Sequence, residues 1–431
     1  FLNSRNVKAA AHFHIVIELD VTVPLTNLML ERILASLIVN HDSLRARFLF
    51  ENATWKQDIR TKMNVDDVLL QYQRSASLSK EVEDKAVEEL ACQPFDLQGS
   101  HLFRVVAIKG ESGVCESLVI AIHHLLCDWV SVRLLVQDMN TLANNELYST
   151  ESNLNSISPP HLLSAISRQR SETVKSDNKE VSKLLGRASV IADSINKTPS
   201  SHSQLRTLHL TIDERKLRVL RGYLATLSLE LETELDIQDL VLATSLRSLN
   251  DLLGTKEIPI IVEGHGREEQ IIDEEGVRFD LSQQIGWLTR ARLMMIDRND
   301  SEENGLLCHV HACLDRVKRE DIDVFSAVMS NIEPVASVLP GLISFNNLGE
   351  FQNNRNNGDI FNLTDRVFKK AVAGDSPADI PLAIEFYIID DSLKIQIAWS
   401  ECLFSSIIIE ERLKLIHQEL LTIVKENSLA G

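Results

Sequence analysis

The sequence predicts a mixed α/β protein made of two similar halves, and three observations carry that reading. Stretches with the two-residue alternation of a half-buried strand take turns with stretches whose apolar residues recur at helical spacing. A polar, Ser-rich segment between about residues 166 and 205, including SRQRSETVKSDNKEVSK and NKTPSSHSQ, interrupts that pattern. Strand and helix runs then recur loosely on its other side. The expected division is a first subdomain over 1–165, a connector over 166–205 and a second subdomain over 206–431.

The elements follow in order. FHIVIELDV (13–21) alternates apolar and polar residues and is rich in β-branched side chains, as a half-buried strand requires. TNLMLERILASLIVNHDSL (26–44) spaces Leu28, Leu30, Ile33, Leu34 and Leu37 along a helix. LFRVVAI (102–108) and SLVIAIHH (117–124) are strands, and a helix is expected over 131–147 with Ser131 as its N-cap. In the second half LRTLHLTID (205–213) is a strand, helices run to about 254, and IPIIVEG (258–264) is a short apolar strand entering a Gly-flanked loop. Residues 382–400 read as a hairpin turning at Asp390, Asp391 and Ser392, and 406–426 as an amphipathic closing helix.

Composition narrows the function. The chain has 431 residues, 44% hydrophobic and 25% charged, which is ordinary for a globular protein. A net charge of −18 repels a polyanionic backbone, so nucleic acid is not an expected partner. The six cysteines form no CxxC pair and read as reduced core residues of a cytoplasmic protein. No run approaches the roughly 18 apolar residues that would span a membrane. Residue 1 is Phe, with no leader pattern after it, so the chain reads as a piece of a longer polypeptide.

Three stretches invite chemistry. His123 and His124 close an apolar run, with Asp128 four residues beyond His124. On a strand only one of two neighbouring side chains faces a given cavity. The pair is thus either a polar strand end with a capping acid or a proton-transfer site. In VEGHGREE (262–269) a glutamate stands between apolar strand residues and a Gly-His-Gly turn. A carboxyl held there and partly desolvated would trade protons near neutrality. The alternatives are a turn carrying a solvated charge run, or a phosphate loop. The latter fails on spacing, because Glu269 stands where a third glycine belongs. CHVHAC (308–313) suggests a metal, but a helix over GLLCHVHACLDRVKRE spreads contiguous ligands around its axis, and no metal is expected. His14, His101 and His417 are read as structural.

Taken together these stretches resemble the condensation superfamily of nonribosomal peptide synthetases, and within it the epimerization domains. HHLLCDWVSVRLLVQDM (123–139) is similar to the family's HHxxxDG stretch, and IVEGHGREE (261–269) to the EGHGRE motif that separates epimerization from ordinary condensation domains. DLSQQIGWLT (280–289) resembles the Gly-Trp-Phe-Thr stretch that follows, and SFNNLGEF (344–351) resembles FNYLGQF. HDSLRARF (41–48) and PFDLQGSHLFRV (94–105) fit the N-terminal half.

The resemblance implies two chloramphenicol-acetyltransferase-like subdomains arranged as a V-shaped pseudo-dimer with a central tunnel. It implies an isomerase that inverts the Cα of an aminoacyl or peptidyl thioester from L to D. That substrate would ride on the 4′-phosphopantetheine arm of a peptidyl carrier protein, with neighbouring synthetase domains as the other partners and no cofactor bound by the domain itself. The excised domain is expected to be monomeric. Carried onto matching positions, the family's acid/base roles fall to His124 and Glu263, with His123 and Asp128 structural or orienting.

Three positions depart from the pattern. Trp129 replaces the Gly of HHxxxDG, Asn347 stands where FNYLGQF has Tyr, and DIDVFSAVMSNIEP follows VKRE (317–320) in place of a Gly-rich segment. These leave two alternatives on the same fold: acyl transfer or cyclisation of the condensation type, and a non-catalytic platform that recruits a partner.

Overall fold

The computed structural model describes residues 10–148 except 53 and 100, scattered positions between 162 and 191, and 200–297 except 250, 251, 253, 254, 256, 269, 270, 273–275 and 277. It further describes 305–320, 343–376 except 354–357, 378, and 382–428. Most of the connector expected at 166–205, and all of the departure after VKRE from residue 321 to 334, lie outside the described residues.

The chain folds into two compact units. The first gathers residues 1–165, 265–288 and 353–376, and the second 166–264, 289–352 and 377–431. The sequence division into two contiguous halves therefore meets a different grouping: two later segments belong with the N-terminal unit. Local bonds explain why one of them does. The Asn140 side chain accepts from the backbone N–H groups of Ile360 and Phe361 at 2.8 Å each, and its amide donates to the Phe361 carbonyl at 2.9 Å.

In the first unit β1 (His14–Val21), β4 (Leu69–Gln73), β5 (Phe103–Lys109), β6 (Cys115–His123) and β13 (Phe361–Leu363) form one sheet in the order β13-β1-β6-β5-β4. All neighbours are antiparallel except β4 and β5. A separate hairpin, β2 (Ala46–Glu51) with β3 (Thr54–Ile59), and a two-residue pair, β9 (Ile271–Ile272) with β10 (Arg278–Phe279), complete its strands. The helices are α1 (Asn27–Asn40), α2 (Lys80–Ala91) and α3 (Trp129–Tyr148). Leu34 and Leu37 of α1 and Leu135 and Met139 of α3 line one small apolar cavity together with Ile17, Val105 and Ile120 of the sheet.

Two helix ends differ from expectation. α1 is capped by the Thr26 hydroxyl, which accepts from the Met29 N–H at 3.2 Å, but it stops at Asn40 instead of running to 44. His41 leaves helical angles, and its buried ring lies 2.9 Å from the Asp138 carboxylate of α3. At α3 the capping side chain is Asp128, not Ser131. Its Oδ1 accepts from the Ser131 N–H at 2.9 Å, and its carbonyl takes the first helical bond, from Val132.

The second unit is built on a six-stranded sheet in the order β11-β8-β12-β14-β15-β7. Its strands are β7 (Leu205–Ile212), β8 (Glu257–Gly264), β11 (Arg290–Asp297), β12 (Ile343–Phe351), β14 (Leu382–Ile389) and β15 (Ser392–Ser400). β12 runs parallel to both β8 and β14, and every other pair is antiparallel. Helices α4 (Glu214–Leu231), α5 (Ile237–Leu249), α6 (Gly305–Glu320) and α7 (Ser406–Asn427) share one buried cluster with alternate strand residues such as Ile260, Val262, Phe345, Ile384 and Ile395. The β14–β15 hairpin turns through Asp390 and Asp391, both at positive φ (47° and 56°), as a two-residue type I′ turn requires.

Candidate active-site elements

β6 delivers the histidine pair. His123 is its last residue, opposite His14 of β1, and is wholly buried. Its Nε2 donates to the Ala10 carbonyl at 2.7 Å, and its Nδ1 accepts from the Leu125 N–H at 3.1 Å. Those two bonds assign the ring proton to Nε2 and occupy both nitrogens. Burial pushes the pKa of His123 down to about 4, so the ring is a neutral structural element.

His124 turns away from that packing because the strand ends and a single turn of 3₁₀ helix (His124–Leu126) begins. Its ring stacks against Phe13 at 5.1 Å between centroids and meets Trp287 at 4.8 Å. Burial holds its pKa below the ordinary imidazole value, while nearby backbone of His124 and Cys127 and the Asp128 carboxylate pull the other way. The result is an aromatically clamped imidazole that is neutral, and therefore basic, at pH 7.

Asp128 joins two motifs that lie far apart in sequence. Its carboxylate takes a two-pronged bond from Arg267, Nη1 to Oδ2 and Nη2 to Oδ1, both 2.9 Å, with both side chains buried. The same carboxylate accepts from the Ser131 hydroxyl at 2.8 Å and the Leu288 N–H at 3.0 Å. Ser131 Oγ in turn accepts from the Gly286 N–H at 3.0 Å. This network fixes the loop that carries Trp287 beside His124. The backbone passes Arg267 through Gly266 at φ +62°, a conformation that favours glycine. His265 is half exposed and accepts from the Arg267 N–H through Nδ1 at 3.1 Å.

Trp129 is the first residue of α3 and is half-buried. It is not among the residues at positive φ, so the backbone here places no demand that only the family's glycine could meet.

In the second unit Glu263 sits one residue before the end of β8, paired in register with Ala291 of β11 and Asn346 of β12. The Asn346 amide donates to Glu263 Oε2 at 2.8 Å. Burial first, and the charge of Glu385 second, push the Glu263 pKa up to about 7. Asn347 lies on the opposite face of the sheet. It pairs in register with the core residue Phe386, and its amide donates to Gln238 of α5 at 3.3 Å.

Five neighbours of the candidate residues thus come from the structure and not from sequence pattern: Phe13, Arg267, Trp287, Asn346 and Glu385. Arg267, Trp287 and Asn346 stood inside stretches already quoted for their motifs. Their roles needed the register and the loop path. In α6, His311 Nδ1 lies 3.0 Å from Asp239 and Cys313 Sγ lies 3.8 Å from His309 Nε2. Among the described residues no group of three His, Cys, Asp or Glu side chains is arranged to hold a metal ion, and no helix is long and apolar enough to cross a membrane.

The fold and these motif residues define a condensation-type domain. The condensation domain family matches residues 3–430, and the chain belongs to it. It is 26% identical over 362 residues to a linear gramicidin synthase polypeptide of Brevibacillus parabrevis, covering 79% of this chain but 7% of that protein. The chain thus spans a small fraction of that relative's length. It shares its fold with the epimerization domain from the third module of tyrocidine synthetase B (TM-score 0.77, 20% identity, 97% of this chain and 92% of that one). The first condensation domain of the CDA synthetase shares the fold as well (TM-score 0.62, 12% identity, 96% and 91%).

Proposed function

We propose that this chain epimerizes the Cα of an aminoacyl or peptidyl thioester presented on the phosphopantetheine arm of a carrier protein, within a nonribosomal peptide synthetase. The observation that carries the reading is Glu263. It is the glutamate of EGHGRE, and its surroundings raise its pKa to about 7, where a carboxyl both takes and gives protons.

Inversion at Cα needs one group to remove the proton from one face and another to return a proton to the other. Neutral His124 serves as one such group and Glu263 as the other. The reading requires the two to reach the same carbon from opposite sides. His123, with both nitrogens engaged, is left to shape the strand end. Asp128 and Arg267 act at one remove, through the loop that holds Trp287 against His124.

The test is a carrier protein loaded with an L-aminoacyl or peptidyl phosphopantetheine, incubated with the domain in D₂O and then offloaded. Deuterium at Cα together with a mixture of D and L product is expected. His124→Ala and Glu263→Gln should each lower the rate of L-to-D inversion by roughly 10²–10⁴, the usual contribution of a positioned acid or base. Inversion at Cα that survives Glu263→Gln at full rate would sink the two-base reading. Peptide-bond formation by that same variant would instead assign the domain to acyl transfer.

A further inference from the structure

Paired residues place one polar side chain per strand in a row across most of the second unit's sheet. Glu263 on β8 stands opposite Asn346 on β12, Asn346 opposite Glu385 on β14, Glu385 opposite Gln396 on β15, and Gln396 opposite His209 on β7. Residues directly opposite one another share a face. The whole row therefore lies on the face away from the cluster of Ile260, Val262, Phe345 and Phe386.

Hydrogen bonds divide the row into two matched couples. Asn346 donates to Glu263 Oε2 at 2.8 Å, and Gln396 donates to Glu385 Oε2 at 2.8 Å. Each carboxyl is thus met by a neutral amide, a donor that orients it without supplying compensating charge. The other titratable or charged side chains on this face are placed by register. Glu257 and Asp297 stand at the far ends of β8 and β11, and Glu257 is paired with Arg187. Tyr387 and Lys394 face each other, and Lys394 lies near enough to His209 to depress its pKa alongside burial. The carboxyl that acts on Glu263 is Glu385, which is itself pushed up by burial.

We propose that Glu385 is a positioning residue for Glu263, its carboxylate two strands away disfavouring a second charge in the row so that the proton stays on Glu263. This rests on Glu263 being an acid/base group and adds what sets its protonation. With Glu385 ionised, a second negative charge on Glu263 is disfavoured, so the proton is retained and remains available for transfer. Asn346 and Gln396 keep each carboxyl oriented while leaving that repulsion uncompensated.

Infrared pH-difference spectra of the intact chain test this directly, because a protonated carboxyl has a stretch of its own. The wild type should show a carboxyl titrating at about 7 that disappears in Glu263→Gln. Glu385→Gln should move that titration down by about one pH unit, the shift expected for unit charges two strand spacings (about 9.6 Å) apart at an effective dielectric of about 20. Glu385→Asp, which keeps the charge, should leave it near the wild-type position. Glu385 ionises while Glu263 still holds its proton, so Glu263→Gln should leave the Glu385 titration in place, which provides a second reading if Glu385 variants fold poorly. A Glu263 band unmoved in Glu385→Gln, or a Glu385 band lowered in Glu263→Gln, overturns the pairing. Inversion at Cα that persists in Glu263→Gln overturns the epimerase reading instead, and leaves the spectroscopic result to stand by itself.

Discussion

A carboxyl that titrates at about 7 carries a cost in stability as well as a chemical use. Between its ordinary value of 4.5 and about 7 the folded state holds a proton on Glu263 that the unfolded chain has released. Folding stability therefore falls as pH rises through that window, and the full penalty applies above it. Glu263→Gln should then be more stable than the wild type near pH 8 by about 1–3 kcal/mol, with the difference closing near pH 5, as read by denaturant midpoints at the two pH values. The catalytic profile has its own sign. For the direction in which His124 takes the proton and Glu263 gives one, the competent form is neutral His124 with protonated Glu263. Its fraction drops as pH rises above about 7 and drops again as pH falls below the depressed value of His124. A profile of kcat/KM for that direction should form a bell with its alkaline limb at about 7, and a flat profile through that pH would remove Glu263 from the proton transfer.

Strand register and helix starts explain why neighbouring residues differ in role. On β12, Asn346 shares a face with Glu263 and donates to it, whereas Asn347 points to the helix side and bonds Gln238. Asn346→Ala should slow inversion by up to about tenfold, the worth of one hydrogen bond, while Asn347→Ala leaves it near the wild-type rate. The start of α3 carries a different load. Asp128 caps the helix, bonds Arg267 through two prongs and anchors Leu288. Arg267→Met leaves that buried carboxylate without its cation and should cost about 3–5 kcal/mol in thermal or chemical denaturation. Loss of exchange activity in that variant with no loss of stability would show instead that Arg267 acts on the chemistry itself.

At the scale of the molecule, the first unit is assembled from three stretches of chain. Residues 1–165 lack β13, which pairs with β1, and lack Arg267 and Leu288, which satisfy Asp128. Expressed alone, that segment should fail to give a cooperatively folded protein, with broad thermal melting by circular dichroism. A sharp transition would show that the later segments are accessories. The same interleaving bears on truncation: removal of 353–376 takes away the edge strand and leaves Asn140 on α3 without three bonds that fix it.

The sequence determined the elements and the family. Periodicities of two and 3.6 residues located β1, α1 and α7, because side-chain direction within an element depends only on local backbone geometry, while a short apolar run located β8 and turn residues the β14–β15 hairpin. The HHLLCD and EGHGRE stretches marked His124 and Glu263 through their resemblance to family motifs, since the residues alone allowed a structural reading as well. The tertiary structure decided what no local pattern records. Helix α1 ends at Asn40 because His41 is drawn to Asp138, nearly a hundred residues away. Asp128 rather than Ser131 caps α3 because Arg267 and Leu288 converge on the same carboxylate. Asn346 rather than Asn347 faces Glu263, and Glu385 joins it, because a pairing register places them there. A one-residue slip would have exchanged the two faces. The proton affinity of Glu263 belongs to this second group. It is set by burial and by a carboxyl 122 positions along the chain, brought into the same row only when the sheet closes.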